Sequence, residues 1–155
     1  MSAYVVLKAI HIVSSAILFG TGLGIAFFKW TTDRTGDVRA IRIASEKVVL
    51  ADWLFTTPAI IIQPITGIAL AAKIGFPLSQ GWIETAIILY VFAGVCWLPV
   101  VWLQIRMRTL ARVADLNCEP LPAQYFKFAR AWFWLGVAAF LSLIAVFWLM
   151  VAKPT

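Results

Sequence analysis

Residues 5–28 read VVLKAIHIVSSAILFGTGLGIAFF, an apolar run broken by one lysine and one histidine. The hydrocarbon core of a bilayer is about 30 Å thick and takes about 20 helical residues to cross, so this run is long enough to span it. Three further stretches qualify, at residues 48–72, 82–103 and 131–151. The whole chain agrees: 63% of its residues are hydrophobic, 13% are charged and the mean hydropathy is +0.92, far from the composition of a water-soluble domain. The sequence therefore predicts an all-α polytopic membrane protein, an antiparallel bundle of four transmembrane helices forming a single domain over residues 1–155. A transmembrane barrel is excluded because runs such as Ala59-Ile60-Ile61-Ile62 lack the alternation its strands require.

The net charge of +6 sorts by loop. Lys29, Arg34, Arg39, Arg42 and Lys47 lie between the first two spans, and Arg106, Arg108, Arg112, Lys127 and Arg130 between the last two. The other side has only Lys8, Lys73 and Lys153. Lys and Arg are retained on the inner side during insertion, which predicts cytoplasmic basic loops and both termini on the outer, periplasmic side of a bacterial inner membrane. The charge is read as topology and contact with anionic membrane lipids, not as nucleic-acid binding. The first span has no basic region before it and exceeds the usual signal-peptide core, so it is expected to be retained.

Thr35-Gly36-Asp37 followed by Val38, Ile41, Ala44 and Val48 predicts a short interfacial helix leading into the second span. No breaker occurs from Gln104 to Leu116, so the third helix should run several turns past the membrane. The fourth should begin near Pro122, a residue suited to a first helical position. Cys96 within a span and Cys118 in a loop predict no disulfide, and no Cys/His cluster supports zinc. Gly20 and Gly24 have the GxxxG spacing that lets a second helix approach closely. The eight tryptophans fit interface belts and packing, or the walls of a site for a flat aromatic ligand.

His11 is the only histidine. An ionisable side chain inside a span is costly, so it should face other helices or a ligand. At 1.5 Å per residue, antiparallel spans bring the neighbourhoods of Gln63, Tyr90 and Ser142 to its depth. These four are expected to line one polar layer, with His11 either bonded to a serine or carbonyl or acting as a ligand, and Gln63 serving as packing glue. Pro64 should kink the second span and release a carbonyl. Asp52 enters that span near the depth of Lys29, Arg106 and Arg130. It is expected to form a structural ion pair with one of these three, Arg106 and Arg130 foremost, with proton handling or substrate contact as the alternative. Glu84 and Gln104 carry no specific reading.

The segments Leu7 to Ser14, Phe19 to Gly24, Ala51 to Pro58, Gln63 to Gly67 and Cys96 to Arg108 resemble a bacterial family of predicted integral membrane proteins known only as a domain of unknown function. That resemblance implies a fold and a location but no activity. Lys8-Ala9-Ile10-His11-Ile12 also resembles the first-helix motif of HemJ-type protoporphyrinogen oxidases, four-helix membrane proteins that bind haem b through a histidine in that position. This second resemblance implies His11 as axial ligand to haem iron and carries the family's neighbouring lysine onto Lys8, which would pair with a porphyrin propionate. The chain departs from it in having no second histidine. Met150 could complete the iron's coordination, as could His11 of a second subunit in a homodimer, or the iron could stay five-coordinate, with Tyr90 or Gln63 tuning the pocket.

Three functions follow. One is a haem-binding protein of porphyrin oxidation or membrane electron transfer. Another is a non-enzymatic bundle or accessory subunit. The third is a carrier for a small solute or lipid, using Gln63-Pro64 and Asp52 along its path.

Overall fold

The computed structural model describes residues 2–154. The elements are α1 (Ala3–Asp33), α2 (Val38–Ala51), a five-residue π-turn (Asp52–Thr56), α3 (Thr57–Ile74), α4 (Gly81–Leu116) and α5 (Ala123–Ala152), with no strand among the described residues. Four helical stretches are long and apolar enough to cross a membrane, one of them formed by α2, the π-turn and α3 together. Even α1, at 31 residues, extends about 46 Å.

Local chemistry sets the boundaries. The Asp37 side chain accepts from the amides of Arg39 and Ala40 at 2.9 and 3.1 Å, so α2 starts where the sequence places it. Gly75, at φ +77°, ends α3 in the left-handed conformation, and the Phe76 amide closes back on the Ala71 carbonyl at 3.0 Å. Cys118 does the same for α4 at φ +54°, with the Glu119 amide on the Ala114 carbonyl at 2.9 Å. Thus α4 runs to Leu116 as expected. Pro122 caps α5 from one residue outside it, with an extended backbone.

The π-turn follows from the prolines. Thr57 donates its amide and its hydroxyl to the Asp52 carbonyl, five residues back, immediately before Pro58, which has no amide to give. This wide turn keeps Asp52 and Thr56 buried while Trp53, Leu54 and Phe55 face outward. It also runs α2 into α3 as one continuous helical stretch. Ile41 of α2 packs with Met107 and Ala111 of α4 and with Tyr125 of α5, so α2 lies against the extension of α4 beyond the span. Arg42 reinforces this contact through Asp115 at 2.6 Å, while also holding Glu46 of its own helix at 3.0 Å.

Two helix pairs make the bundle: α1 lies on α3, and α4 on α5 along much of its length. The pairs are joined at the basic end by the cluster around Ile41, Leu103, Met107, Tyr125 and Trp132. At the end bearing the termini they are joined by Ala71, Trp82 and Ile83 with Phe76 and Leu149. Between α1 and α5, Phe19 stacks on Phe140 with centroids 4.2 Å apart, and Lys29 and Asp33 meet the Tyr125 hydroxyl. Large apolar side chains such as Leu50, Val95, Leu98, Leu141 and Trp148 are more than half exposed on the outside, as a surface facing acyl chains requires. A methyl group placed on Gly20 or Gly24 meets nothing within 4 Å, so no described helix of this chain uses that spacing for a close approach.

Candidate functional site

His11 is held by α3. Its Nδ1 lies 2.7 Å from Thr66 Oγ1, and the Thr66 hydroxyl is itself directed to the carbonyls of Ile62 at 2.8 Å and Gln63 at 3.1 Å. One hydroxyl carries one proton, so Thr66 accepts from the ring and His11 takes the Nδ1–H tautomer. The His11 carbonyl receives Gln63 Nε2 at 2.9 Å and Ser14 Oγ at 3.1 Å. Gly67 makes room for the ring: a Cβ there would stand 3.2 Å from His11 Cε1. Thr66 and Gly67 follow Gln63 at the three- and four-residue spacing of one helix face, a signal the sequence contained.

The other residues expected at this depth go elsewhere. Tyr90 donates to the Ile60 carbonyl at 2.7 Å, and the Ser142 hydroxyl folds back onto Ala138 of its own helix at 2.9 Å. The single polar layer is therefore corrected to a His11–Gln63 seam and a separate Tyr90 contact, because Pro64 frees a carbonyl that Tyr90 takes. Lys8 is exposed and reaches back towards the ring of Tyr4, 6.0 Å from its centroid. Met150 is 36% exposed near the end of α5, whereas the His11 ring lies against Thr66 and Gly67 of α3.

A cavity of about 400 Å³ opens between the two helix pairs, within the usual size range of ligand pockets. Leu18 and Gly22 of α1, Ile60 of α3, Ala93 and Gly94 of α4, and Gly136 and Phe140 of α5 are among its walls. The three wall glycines create much of the space: a Cβ at Gly22, Gly94 or Gly136 meets nothing within 4 Å. Leu23 and Phe27 of α1 and Phe133 and Leu141 of α5 line it while remaining more than one-third exposed. The mouth therefore lies between α1 and α5 and faces the surroundings of the bundle sideways. His11 is not on this wall.

One end of the cavity is polar. Asp52, 6% exposed, accepts from Gln104 Nε2 at 2.8 Å, and Gln104 Oε1 in turn accepts from Trp132 Nε1 at 3.1 Å, with the amide oriented to satisfy both neighbours. Thr56 and Trp97 flank the same carboxylate. Neither Thr56 Oγ1 nor Trp97 Nε1 closes a hydrogen bond, although both atoms are buried. All five residues line the cavity. Asp52 and Thr56 share a face through the π-turn, and Trp97 and Gln104, seven residues apart on α4, share another.

The expected ion pair at Asp52 is corrected. Ion pairs among the described residues join Lys29 to Asp33 and Arg42 to both Glu46 and Asp115. Arg106 is two residues beyond Gln104 and Arg130 two before Trp132, which puts each about 200° around its helix from the inward residue. Both are exposed, Arg106 lying 5.9 Å from the Trp102 ring centroid. The buried cation is instead Lys29, 1% exposed, whose ammonium bonds Asp33 and the Tyr125 hydroxyl. Tyr125 donates to Asp33 at 2.7 Å. No group of three His, Cys, Asp or Glu side chains arranged to hold a metal ion occurs among the described residues.

The model of the family described as predicted integral membrane protein (DUF2269) matches residues 5–154. No curated protein and no solved structure matches the chain.

Proposed function

We propose that this chain, which belongs to the DUF2269 family of predicted integral membrane proteins, binds an amphiphilic molecule taken from the surrounding membrane. One observation carries the reading: a half-open apolar cavity ends on a buried polar cluster, in which Thr56 and Trp97 keep unused donors beside the Asp52 carboxylate. Apolar walls favour an alkyl or ring body, and an unmatched buried polar group costs free energy that a ligand head recovers on binding. The mouth between α1 and α5 admits such a molecule sideways, from the acyl layer. The reading makes the chain a lipid-type carrier or a ligand-holding accessory subunit. The loop charges support a bacterial inner membrane with the basic loops, and hence the polar end of the cavity, towards the cytoplasm.

The test uses protein in nanodiscs and a diazirine-bearing fatty alcohol, with labelled residues mapped by mass spectrometry. Saturable labelling of the cavity walls is expected, and Gly94→Leu, whose Cβ meets no neighbour within 4 Å and whose longer side chain takes up cavity space, should abolish it. Unsaturable labelling that is identical in both proteins overturns the reading.

Haem b on His11 is the second reading, favoured by one feature. Thr66 fixes Nδ1, leaving Nε2 as the nitrogen free to ligate iron, the usual orientation of ligating histidines. The rest of the surroundings fit haem poorly: His11 is off the cavity wall, Lys8 turns towards Tyr4, and Gly67 lies against the ring edge. A Soret band that disappears in His11→Ala would favour haem. Colourless protein from haem-replete cells counts against it.

A further inference from the structure

Resting on the amphiphile reading, we propose that the cavity's ligand is a cation, an amphiphile with an ammonium head that sits against the Asp52 carboxylate and competes there with a proton. The chain places neutral groups around this carboxylate, and no ion pair among the described residues includes it. Gln104 bonds it at 2.8 Å, and Thr56 and Trp97 flank it. Neutral groups of this kind supply no compensating charge to a carboxylate. The charge is thus left for something that is not part of the described chain.

The same bundle shows how it treats a carboxylate that has its own cation. Asp33 takes the buried ammonium of Lys29, and the Tyr125 hydroxyl accepts from the same nitrogen. Carboxylate, ammonium and neutral polar partner form a complete set. At the cavity end a carboxylate and neutral polar partners line the wall, and no ammonium does among the described residues. Beside a neutral head the carboxyl would have to take a proton to avoid an uncompensated charge in an apolar enclosure, and an anionic head would be repelled by the carboxylate.

The proton enters because the carboxylate cannot hold both partners, so cation binding should weaken as pH falls. The groups around Asp52 leave it as the titrating member. Gln104, Trp97 and Trp132 carry no charge, and Lys29 is engaged by Asp33 and Tyr125. Glu46 on α2 pairs with Arg42, and Lys47 is exposed. Tyr90 is the other ionisable group on the cavity wall, and its hydroxyl is committed to Ile60.

The test is equilibrium dialysis of tritiated decyltrimethylammonium against full-length protein in nanodiscs of zwitterionic lipid. Its uncharged carbon isostere, with a tert-butyl head, is measured alongside. The cation is expected to bind saturably, more tightly than the isostere, and more weakly as pH is lowered. Asp52→Asn should weaken the cation about tenfold or more, remove the pH dependence and leave the isostere unchanged. Gly94→Leu should remove both ligands.

Equal affinity for cation and isostere, or an unchanged cation affinity in Asp52→Asn, overturns the cationic assignment while leaving the cavity reading intact. Failure of both ligands to bind saturably, or saturable binding of both that survives Gly94→Leu, overturns the cavity reading and this inference with it. A thermal transition matching the wild type in each variant confirms that the comparison is between folded proteins.

Discussion

Tyr90 donates its phenolic proton to the carbonyl of Ile60 across 2.7 Å, and that carbonyl is the one Pro64, four residues later, leaves without an amide. One proline thus creates a polar vacancy inside the bundle, and a tyrosine from the facing helix fills it. Tyr90→Phe should cost about 1–3 kcal/mol, the penalty for an unsatisfied buried acceptor. In Pro64→Ala an alanine amide can take the same carbonyl, so the loss in Tyr90→Phe should shrink in that background. Thermal unfolding of the double-mutant cycle in detergent measures the coupling, and strictly additive effects would contradict the assignment.

Glycines divide into two kinds that unfolding measurements can separate. Gly67→Ala forces a Cβ to within 3.2 Å of His11 Cε1 and should destabilise by about 1–3 kcal/mol. Gly136→Ala points a methyl into the cavity, meets nothing, and should stabilise by up to about 1 kcal/mol through helix propensity. The reverse order would show that the α1–α3 seam and the cavity wall have been misplaced.

What the sequence disclosed depended on how far each feature reached. Span length, loop charge and caps are local, and from them α1, the long α4 and the start of α2 at Asp37 were legible. His11 meeting Gln63 was legible too, because depth is set by counting residues along two antiparallel helices. Rotation was not. Whether Asp52 faces Arg106 or Gln104 depends on how α4 turns about its axis and on the extra residue the π-turn inserts at Asp52–Thr56. For Trp97 and Trp132 the sequence leaves belt, packing and site wall undivided, because it displays position along the span and not facing. The cavity is a property of two helix pairs that touch mainly at their ends, and no segment encodes it alone.

The two arginines at the depth of Asp52, Arg106 and Arg130, should be expendable. Arg106→Ala and Arg130→Ala, both at exposed positions, are expected to change stability by no more than about 0.5 kcal/mol. Asp33→Asn should be far worse, at about 3–5 kcal/mol, because it strands an ammonium that is 1% exposed. Lys29→Met should cost less, since Asp33 retains the Tyr125 hydroxyl and is itself partly exposed. Denaturation midpoints for the four variants test the order.

Orientation can be read from the chain's own cysteines. Cys118 is exposed at the basic end, following α4, and Cys96 is buried within the bundle, so a maleimide should modify the first and spare the second. If the basic loops face the cytoplasm, a membrane-impermeant maleimide should leave Cys118 unlabelled in intact spheroplasts and label it after permeabilisation. A cysteine placed at Lys153, at the other end of the bundle, should show the opposite pattern and react without permeabilisation. Reaction of Cys118 in sealed spheroplasts would invert the topology and, with it, the side of the membrane towards which Asp52 lies.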